Sequence, residues 1–284
     1  MAVRIEHHRY GKAQVRLVRV RRRGEIHDVR EITVRVLCEG AFEETYLTGD
    51  NAKVLPTDTM KNTVYALARE YEVDRVERFG ETLANHFLAE HAPISRVTVD
   101  LEEQPWVRIR TNGPRGPEPH PHAFERGAGI GTATVTADRR GLVFASGLRD
   151  LNVMKTTGSG FEGFPKDDFT TLAETRDRIF ATSVTAVWEW SKPPGDFANA
   201  NSQVRDAMLG AFAGEYSPSV QFTLRAMAEA AMAKVPEIAR VSLSLPNRHC
   251  LLVDLKPFGL ENPNEVFVAT DEPHGLIEGT FARG

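Results

Sequence analysis

The sequence is poor in cysteine, has no long apolar run and carries no large excess of either charge. Its two cysteines, Cys38 and Cys250, are too far apart for a metal-binding spacing, so we expect reduced thiols. No apolar stretch approaches the roughly 18 residues of a membrane helix. The 35 basic and 39 acidic residues give a net charge of −4, which argues against nucleic acid as the main partner.

The two ends of the sequence also lack targeting signals. Residues 1–8 have no apolar core of a signal peptide, and residues 281–284 are not a Ser-Lys-Leu peroxisomal signal. We therefore expect a cytoplasmic protein with no membrane partner.

The first half of the chain is predicted to have the order strand, strand, helix, helix, strand, strand. Alternation of apolar and polar residues on both sides of Gly24 predicts a hairpin. Pro117, Pro119 and Pro121 favour a polar stretch without regular structure. The predicted strands are 15–20, 32–36, 94–101 and 106–110, and the helical patterns begin at Val64 and Val76.

The second half repeats this order with an insertion, and we place the division at residues 1–137 and 138–284. Antiparallel strands with helices on one face indicate an α+β fold. The outer strands of each half would be open edges, so we expect oligomerisation. The predicted elements are strands at 133–137, 142–147, 183–190, 241–245 and 250–255, and helices at 203–215 and 220–234.

Several short motifs have an ordinary structural explanation. Gly158 to Gly163 fits the G-x-G-x-x-G pattern, but no amphipathic helix follows, so a dinucleotide site is disfavoured. His86 and His91 have the wrong spacing for one helix face, and we expect no metal. Residues 57–59 are best explained as a helix cap, although a helix start can also bind an anion. Residues 246–248 are typical of a turn.

Seven segments taken together nevertheless resemble one family, the uricases (urate oxidases), in order and separation over nearly the whole chain. The segments are Tyr10-Gly11-Lys12, 57–63, 157–165, 174–179, 217–221, 245–249 and 262–267. The resemblance implies two tandem T-fold (tunnelling fold) units per chain and a homotetramer whose sheets close into a barrel. It also implies active sites shared between chains, with urate and O₂ as the bound partners and no cofactor.

The resemblance further implies a role for individual residues. Lys12, Thr57 and His249 would form a proton relay, and Asn247 would hold dioxygen and later water. The remaining substrate contacts would come from Thr57 and Asp58 of a neighbouring chain, from Phe161 by stacking, and from Arg178, Val220 and Gln221 at the edge of the purine. Arg176 is a neighbouring alternative to Arg178, and we choose Arg178 because it lies in the matching Asp-Arg-Ile run.

The implied reaction converts urate, O₂ and water to 5-hydroxyisourate and hydrogen peroxide in purine catabolism. Two alternatives stay open. One is another T-fold enzyme that acts on a pterin-like ring, a class that anchors its substrate with a carboxylate and often uses zinc. The other is a purine-binding protein without turnover.

Overall fold

The computed structural model describes residues 3–113 and 116–284, which form two compact units, Met1–Gly147 and Leu148–Gly284. Pro114, the first residue of the proline stretch, lies outside the described residues. The division falls inside a strand, whereas the sequence analysis placed it after Ala137. That earlier boundary stays a prediction of where the first T-fold unit ends.

The first unit contains one antiparallel sheet of order β1-β2-β3-β6 and two long helices between its two strand pairs. A hairpin, β4–β5, is inserted between β3 and β6 and forms its own two-stranded sheet. The elements are β1 (Tyr10–Arg23), β2 (Ile26–Gly40), α1 (Glu43–Leu47), α2 (Thr57–Glu70), α3 (Val76–Glu90), β3 (Ile94–Gln104), β4 (Trp106–Gly113), β5 (Gly116–Arg126) and β6 (Ile130–Asp138).

The second unit has the same plan, with strand order β7-β8-β9-β10. Its insertion is the loop 156–179, which lies between the first two strands. The elements are β7 (Gly141–Lys155), β8 (Phe180–Trp190), α4 (Phe197–Gly214), α5 (Val220–Lys234), β9 (Ile238–Leu252) and β10 (Phe267–Ala282). Both units therefore have the strand, strand, helix, helix, strand, strand order of the T-fold, which confirms the predicted α+β class.

In each unit the helices cover one face of the sheet, and the apolar core lies between these layers. In the first unit α2 packs on β1, and α3 packs on β3 and β6. In the second, α5 packs on β9 and β10. The core residues include Ile32, Val36, Met60, Leu83 and Phe87 in the first unit and Phe180, Trp188, Met208, Leu224 and Leu245 in the second. Among the described residues, no helix has the length and apolarity needed to cross a bilayer.

The proline stretch is a strand, so the prediction of irregular structure there is wrong. Pro117 and Pro119 lie in β5, opposite Asn112 and Arg110 of β4. Prolines spaced by two residues place their missing N–H groups along one edge, and an edge strand tolerates this. The strand 133–137, predicted to open the second half, instead pairs with β3 of the first unit.

The predicted turn at residues 246–248 is also wrong, because β9 continues through Pro246 and Asn247. Proline is tolerated there because the pairing is irregular at this point. The ladder with β10 shifts register between Thr270 and Gly275, opposite His249 and Asn247. The partner strand β10 was not predicted at all.

Candidate active site

Lys12 lies beside a β-bulge that decides which way its side chain points. Lys12 pairs with Val36 and Val15 pairs with Val34, so β1 has one extra residue between these pairs. Gln14, within the bulge, has a φ of 57°. Val34 and Val36 are fully buried beneath the helices. Residues directly opposite share a face, so the bulge turns Lys12 towards the side of the sheet that carries α2.

Gly11 is required by the close pairing next to Lys12. A Cβ atom at this position would lie 1.8 Å from the carbonyl oxygen of Val36. Any side chain would therefore push the two strands apart at the point where Lys12 is positioned. The close pairing of the strands therefore requires glycine at the middle position of the Tyr-Gly-Lys sequence.

Tyr10 connects the Lys12 strand to the segment that leads into α2. Its hydroxyl accepts a hydrogen bond from the backbone N–H of Leu55 at 2.8 Å. Its ring packs edge-on against Phe42 with centroids 4.9 Å apart. Partial burial raises the pKa of Tyr10, although the Leu55 hydrogen bond opposes this. Tyr10 thereby fixes the approach to Thr57, a role that the sequence analysis missed.

The start of α2 has no side-chain cap, so the prediction of a cap at residues 57–59 is wrong. The N-cap residue is Pro56, which has no acceptor on its side chain, and Thr57 is the first helical residue. The Met60 N–H bonds to the Pro56 carbonyl at 3.2 Å. The N–H groups of residues 57–59 come before this first intrahelical bond and have no partner within the helix. Such groups attract anions.

The Asp58 carboxylate is engaged within its own helix. It accepts hydrogen bonds from Lys61 and, at 3.1 Å, from the Asn62 amide. The hydrogen bond and charge of Lys61 lower the pKa of Asp58, and the charge of Lys12 contributes in the same direction. The Asp58 side chain is thus already paired, whereas its backbone N–H lies in the uncapped first turn of the helix.

We expect Tyr10→Phe to destabilise the fold by about 1 kcal/mol, because it removes the acceptor of the partly buried Leu55 N–H. The melting temperature should fall by about 2–4 °C. The matched control is Tyr65→Phe, whose exposed hydroxyl makes only a 3.4 Å contact with the Arg16 carbonyl. Equal melting temperatures for the two variants would show that the Leu55 contact does not hold this segment.

In the second unit, the loop 156–179 is held by a backbone network. Ser159 forms a parallel bridge with Ser217, and Phe161 forms an antiparallel bridge with Thr175. The Arg178 N–H donates to the Ser159 carbonyl at 2.8 Å. Asp177 accepts from the Thr157 hydroxyl at 2.8 Å and from the Gly158 N–H at 3.1 Å. These bonds hold three parts of the unit close to one another: the loop segment around Phe161, Arg178 and the residues before α5.

Gly160 permits this close approach. A Cβ atom there would lie 2.3 Å from the Tyr216 hydroxyl oxygen and 2.8 Å from the Thr175 carbonyl oxygen. Gly158 and Gly163 have φ values of 72° and 71°. The glycines of the G-x-G-x-x-G pattern thus shape a loop, and no helix follows them.

Phe161 and Arg178 form a ring-and-cation pair. The Arg178 guanidinium carbon lies 5.5 Å from the Phe161 ring centroid. Phe164 stacks on Phe161 with centroids 4.9 Å apart and planes 12° apart. Burial lowers the pKa of Arg178, yet a guanidinium remains charged in proteins.

Arg176 points elsewhere. Its side chain is 85% exposed and its Nε lies 2.9 Å from a carboxylate oxygen of Glu162. The geometry therefore supports Arg178, and not Arg176, as the partner of a ligand that stacks on Phe161.

The start of α5 presents Val220 and Gln221 next to this loop. Ser219 caps the helix by accepting from the Phe222 N–H at 3.2 Å. Val220 is buried, whereas the Gln221 side chain is exposed. Ser217, just before the helix, donates its N–H to Gly158 at 2.9 Å and accepts from Gly160 at 2.8 Å. These backbone bonds tie the segment that leads into α5 to the loop that carries Phe161.

Asn247 and His249 lie two residues apart on β9 and therefore share a face of the sheet. Both are half-buried. Thr270 donates a hydrogen bond to the His249 carbonyl at 3.2 Å. His249 is also among the residues that line a cavity of about 250 Å³ between the strands of this unit.

The predicted site residues thus fall into two groups. Lys12, Thr57 and Asp58 belong to the first unit. The second unit carries Phe161, Arg178, Val220, Gln221, Asn247 and His249. Within residues 3–113 and 116–284, no group of three or more His, Cys, Asp and Glu side chains could hold a metal ion.

Comparison with known proteins identifies the family of this chain. The uricase family model matches residues 8–134 and 144–278. The chain is 46% identical to a uricase of Dictyostelium discoideum, covering 97% of this chain and 96% of that protein. It is also 42% identical to a uricase of Arthrobacter globiformis, covering 96% and 88%.

Solved structures give the same result. The crystal structure of the uricase from Arthrobacter globiformis superimposes with a TM-score of 0.93 at 40% identity, covering 100% of this chain and 96% of that one. A uricase from Bacillus fastidious, with a TM-score of 0.85 at 24% identity over 98% and 94% of the two chains, shares the fold. This chain belongs to the uricase family.

Proposed function

We propose that this protein oxidises urate with O₂ and water to 5-hydroxyisourate and hydrogen peroxide, without a cofactor, as a step of purine catabolism. The observation that carries the proposal is the pairing of the half-buried Arg178 guanidinium with the Phe161 ring, on a loop whose backbone bonds to the segment that leads into α5 and Gln221. This combination suits a flat anion with carbonyl and N–H groups at its edge. Membership of the uricase family supports the same substrate.

In this proposal urate stacks on the Phe161 ring. Phe164 already covers one face of that ring, so the purine would lie against the opposite face. Arg178 would donate a charged fork of N–H groups to the carbonyl-bearing edge. Gln221 would donate to a carbonyl and accept from a ring N–H with one amide, and the Val220 backbone would contact the same edge.

The proton relay would be completed by Lys12, Thr57 and His249. A hydroxyl both donates and accepts, so Thr57 can pass a proton between the substrate and Lys12. The backbone N–H groups of Thr57 and Asp58 would contact the five-membered ring. The uncapped start of α2 leaves those groups available for an anion.

The electrons for oxygen reduction would come from urate itself. Loss of a second proton gives an electron-rich dianion, which transfers electrons to O₂ and forms a peroxide adduct at C5. Hydrogen peroxide then leaves, and water adds at C5 to give 5-hydroxyisourate. Asn247 would hold first O₂ and then water above the purine plane, so the protein contributes positioning and electrostatics.

We further propose that the protein is a homotetramer in which each active site uses residues of two chains. Thr57 and Asp58 would come from the neighbour of the chain that provides Phe161 and Arg178. The family resemblance supports this arrangement, in which the two groups of residues belong to different units of the chain.

The proposal is tested by adding urate to purified, chelator-treated protein. The ultraviolet absorbance of urate should fall while one O₂ is consumed and one hydrogen peroxide appears per urate. Absence of oxygen uptake would overturn the proposed reaction. Tight urate binding without uptake would indicate a purine-binding protein, and binding of a pterin but not of urate would indicate another T-fold activity.

We expect Gln221→Ala to raise the KM for urate by about tenfold, because the edge of the bound purine loses hydrogen bonds worth about 1–3 kcal/mol. The kcat should change little, since these contacts form in the ground state as well. Gln203→Ala, on the other helix of the unit, serves as the control. An unchanged KM in Gln221→Ala would contradict the placement of that amide at the purine.

A further inference from the structure

Thr182 carries a buried hydroxyl that has no use in the fold. The residue lies on β8 and is 1% exposed. Its Oγ1 atom has no hydrogen-bond partner among the described residues. A buried hydroxyl without a partner costs about 1–3 kcal/mol, and valine has the same shape without that cost. An unsatisfied hydroxyl at this position therefore calls for an explanation.

The strand register places Thr182 opposite Asn247. Ala181 pairs with Arg248 and Thr185 pairs with Ser244, with no register shift between these pairs. Counting inwards from either pair places Thr182 directly opposite Asn247. Side chains that are directly opposite share a face, with Cβ atoms about 4.5–5.5 Å apart. The Thr182 hydroxyl is thus within reach of the Asn247 amide.

No other side chain occupies the equivalent position on the far side of Asn247. The residue opposite Asn247 on β10 is Gly275. A Cβ at Gly275 would stand 3.8 Å from the Asn247 Cβ. Along β9 itself, the next residues on that face are the fully buried Leu245 and the half-buried His249. Thr182 is therefore the polar side chain that the β8–β9 register places directly opposite Asn247.

The orientation of the Asn247 amide matters for the proposed reaction. An amide has an acceptor end and a donor end of similar shape, and it is held in one orientation only when each end has a suitable partner. Reduction of O₂ builds negative charge on oxygen, and the NH₂ end stabilises this charge whereas the carbonyl end repels it.

We propose that Thr182 is a positioning residue for Asn247. In the substrate complex its hydroxyl donates a hydrogen bond to Asn247 Oδ1, which turns the Asn247 NH₂ group towards the bound oxygen. This inference rests on the proposed function, because it assigns Thr182 a part in holding the oxygen species of that reaction.

The test compares Thr182→Val, which removes the hydroxyl, with Thr182→Ser, which keeps it. Thr182→Val should raise the KM for O₂ and lower kcat/KM for O₂ by about tenfold, while the affinity for xanthine, a purine without the C8 oxygen of urate, stays unchanged. Thr182→Ser should restore most of the loss. Thr185→Val, on the other face of the same strand, should behave like the wild type.

A double-mutant comparison separates positioning from packing. In an Asn247→Ala background, Thr182→Val should cause no further loss, because the group that it orients is gone. If the two substitutions reduce kcat/KM for O₂ independently, so that the double variant shows the product of the two single losses, the proposal is overturned. Wild-type kinetics in Thr182→Val, together with a raised melting temperature, would also overturn it and would mark the hydroxyl as a purely structural defect.

A crystal structure with xanthine gives a readout that does not depend on turnover. The Thr182 Oγ1 to Asn247 Oδ1 distance should then be about 2.5–3.0 Å. A longer distance in that complex would refute the hydrogen bond. If the wild type consumes no oxygen with urate, the proposed function fails, and this distance still decides the Thr182–Asn247 contact.

Discussion

Lys12→Met should lower the turnover of urate by about 10²–10⁴-fold while the affinity for xanthine stays within a few-fold of the wild type. The reason is the place of Lys12 in the proposed relay, beside the bulge that turns it towards the side of the sheet that carries α2. Methionine has a similar length and preserves packing, but it cannot accept or donate the proton. Oxygen uptake measures the turnover, and equilibrium titration measures the affinity.

Lys192→Met provides the matched control, because Lys192 is an exposed lysine in the second unit. It should leave both quantities unchanged. A parallel loss of turnover and of xanthine affinity in Lys12→Met would make Lys12 a binding or structural residue. The relay assignment would then be wrong, even if the protein oxidises urate.

Arg178→Gln should reduce kcat/KM for urate by about 10- to 100-fold. The variant removes a charged, half-buried donor from a position 5.5 Å from the Phe161 ring centroid, and a hydrogen bond to a charged group is worth about 1.5–3 kcal/mol. Part of the loss should appear as weaker xanthine binding, since the guanidinium contacts the ligand before any chemistry occurs.

The control for this experiment lies two residues earlier in the chain. Arg176 is exposed and paired with Glu162, and exposed ion pairs contribute about 0–1 kcal/mol. Arg176→Gln should therefore leave kcat/KM within about twofold. The reverse ranking of the two variants would mean that Arg176 is the residue at the purine.

The regular elements of the fold were predictable where one face of a strand or helix is buried. β2 alternates strictly because Ile32, Val34 and Val36 are fully buried. β10 escaped prediction because most of its residues are exposed in the chain, so its sequence has little alternation. Its pairing with β9, and not its own pattern, makes it a strand.

The sequence motifs name a set of candidate site residues, which stays a prediction, but they carry no information about its geometry. The sequence motifs located Arg176 and Arg178, and only the folded loop shows that one binds Glu162 while the other lies at Phe161. The Tyr10–Leu55 hydrogen bond joins residues 45 positions apart, and local patterns carry no sign of it. The orphaned hydroxyl of Thr182 is likewise invisible in a run of strand-forming residues.

The bulge in β1 makes the backbone at Gln14 as important as the side chains around it. Val15 and its buried neighbours fix the strand from one side, and Tyr10 fixes it from the other. A regular ladder continued from the Val15–Val34 pair would set Lys12 opposite Leu37 on the reverse surface of the sheet, whereas deleting Ala13 or Gln14 would straighten the ladder and keep Lys12 opposite Val36. A change at Gln14 that abolishes the bulge at full chain length would therefore misplace Lys12 although every functional side chain is intact.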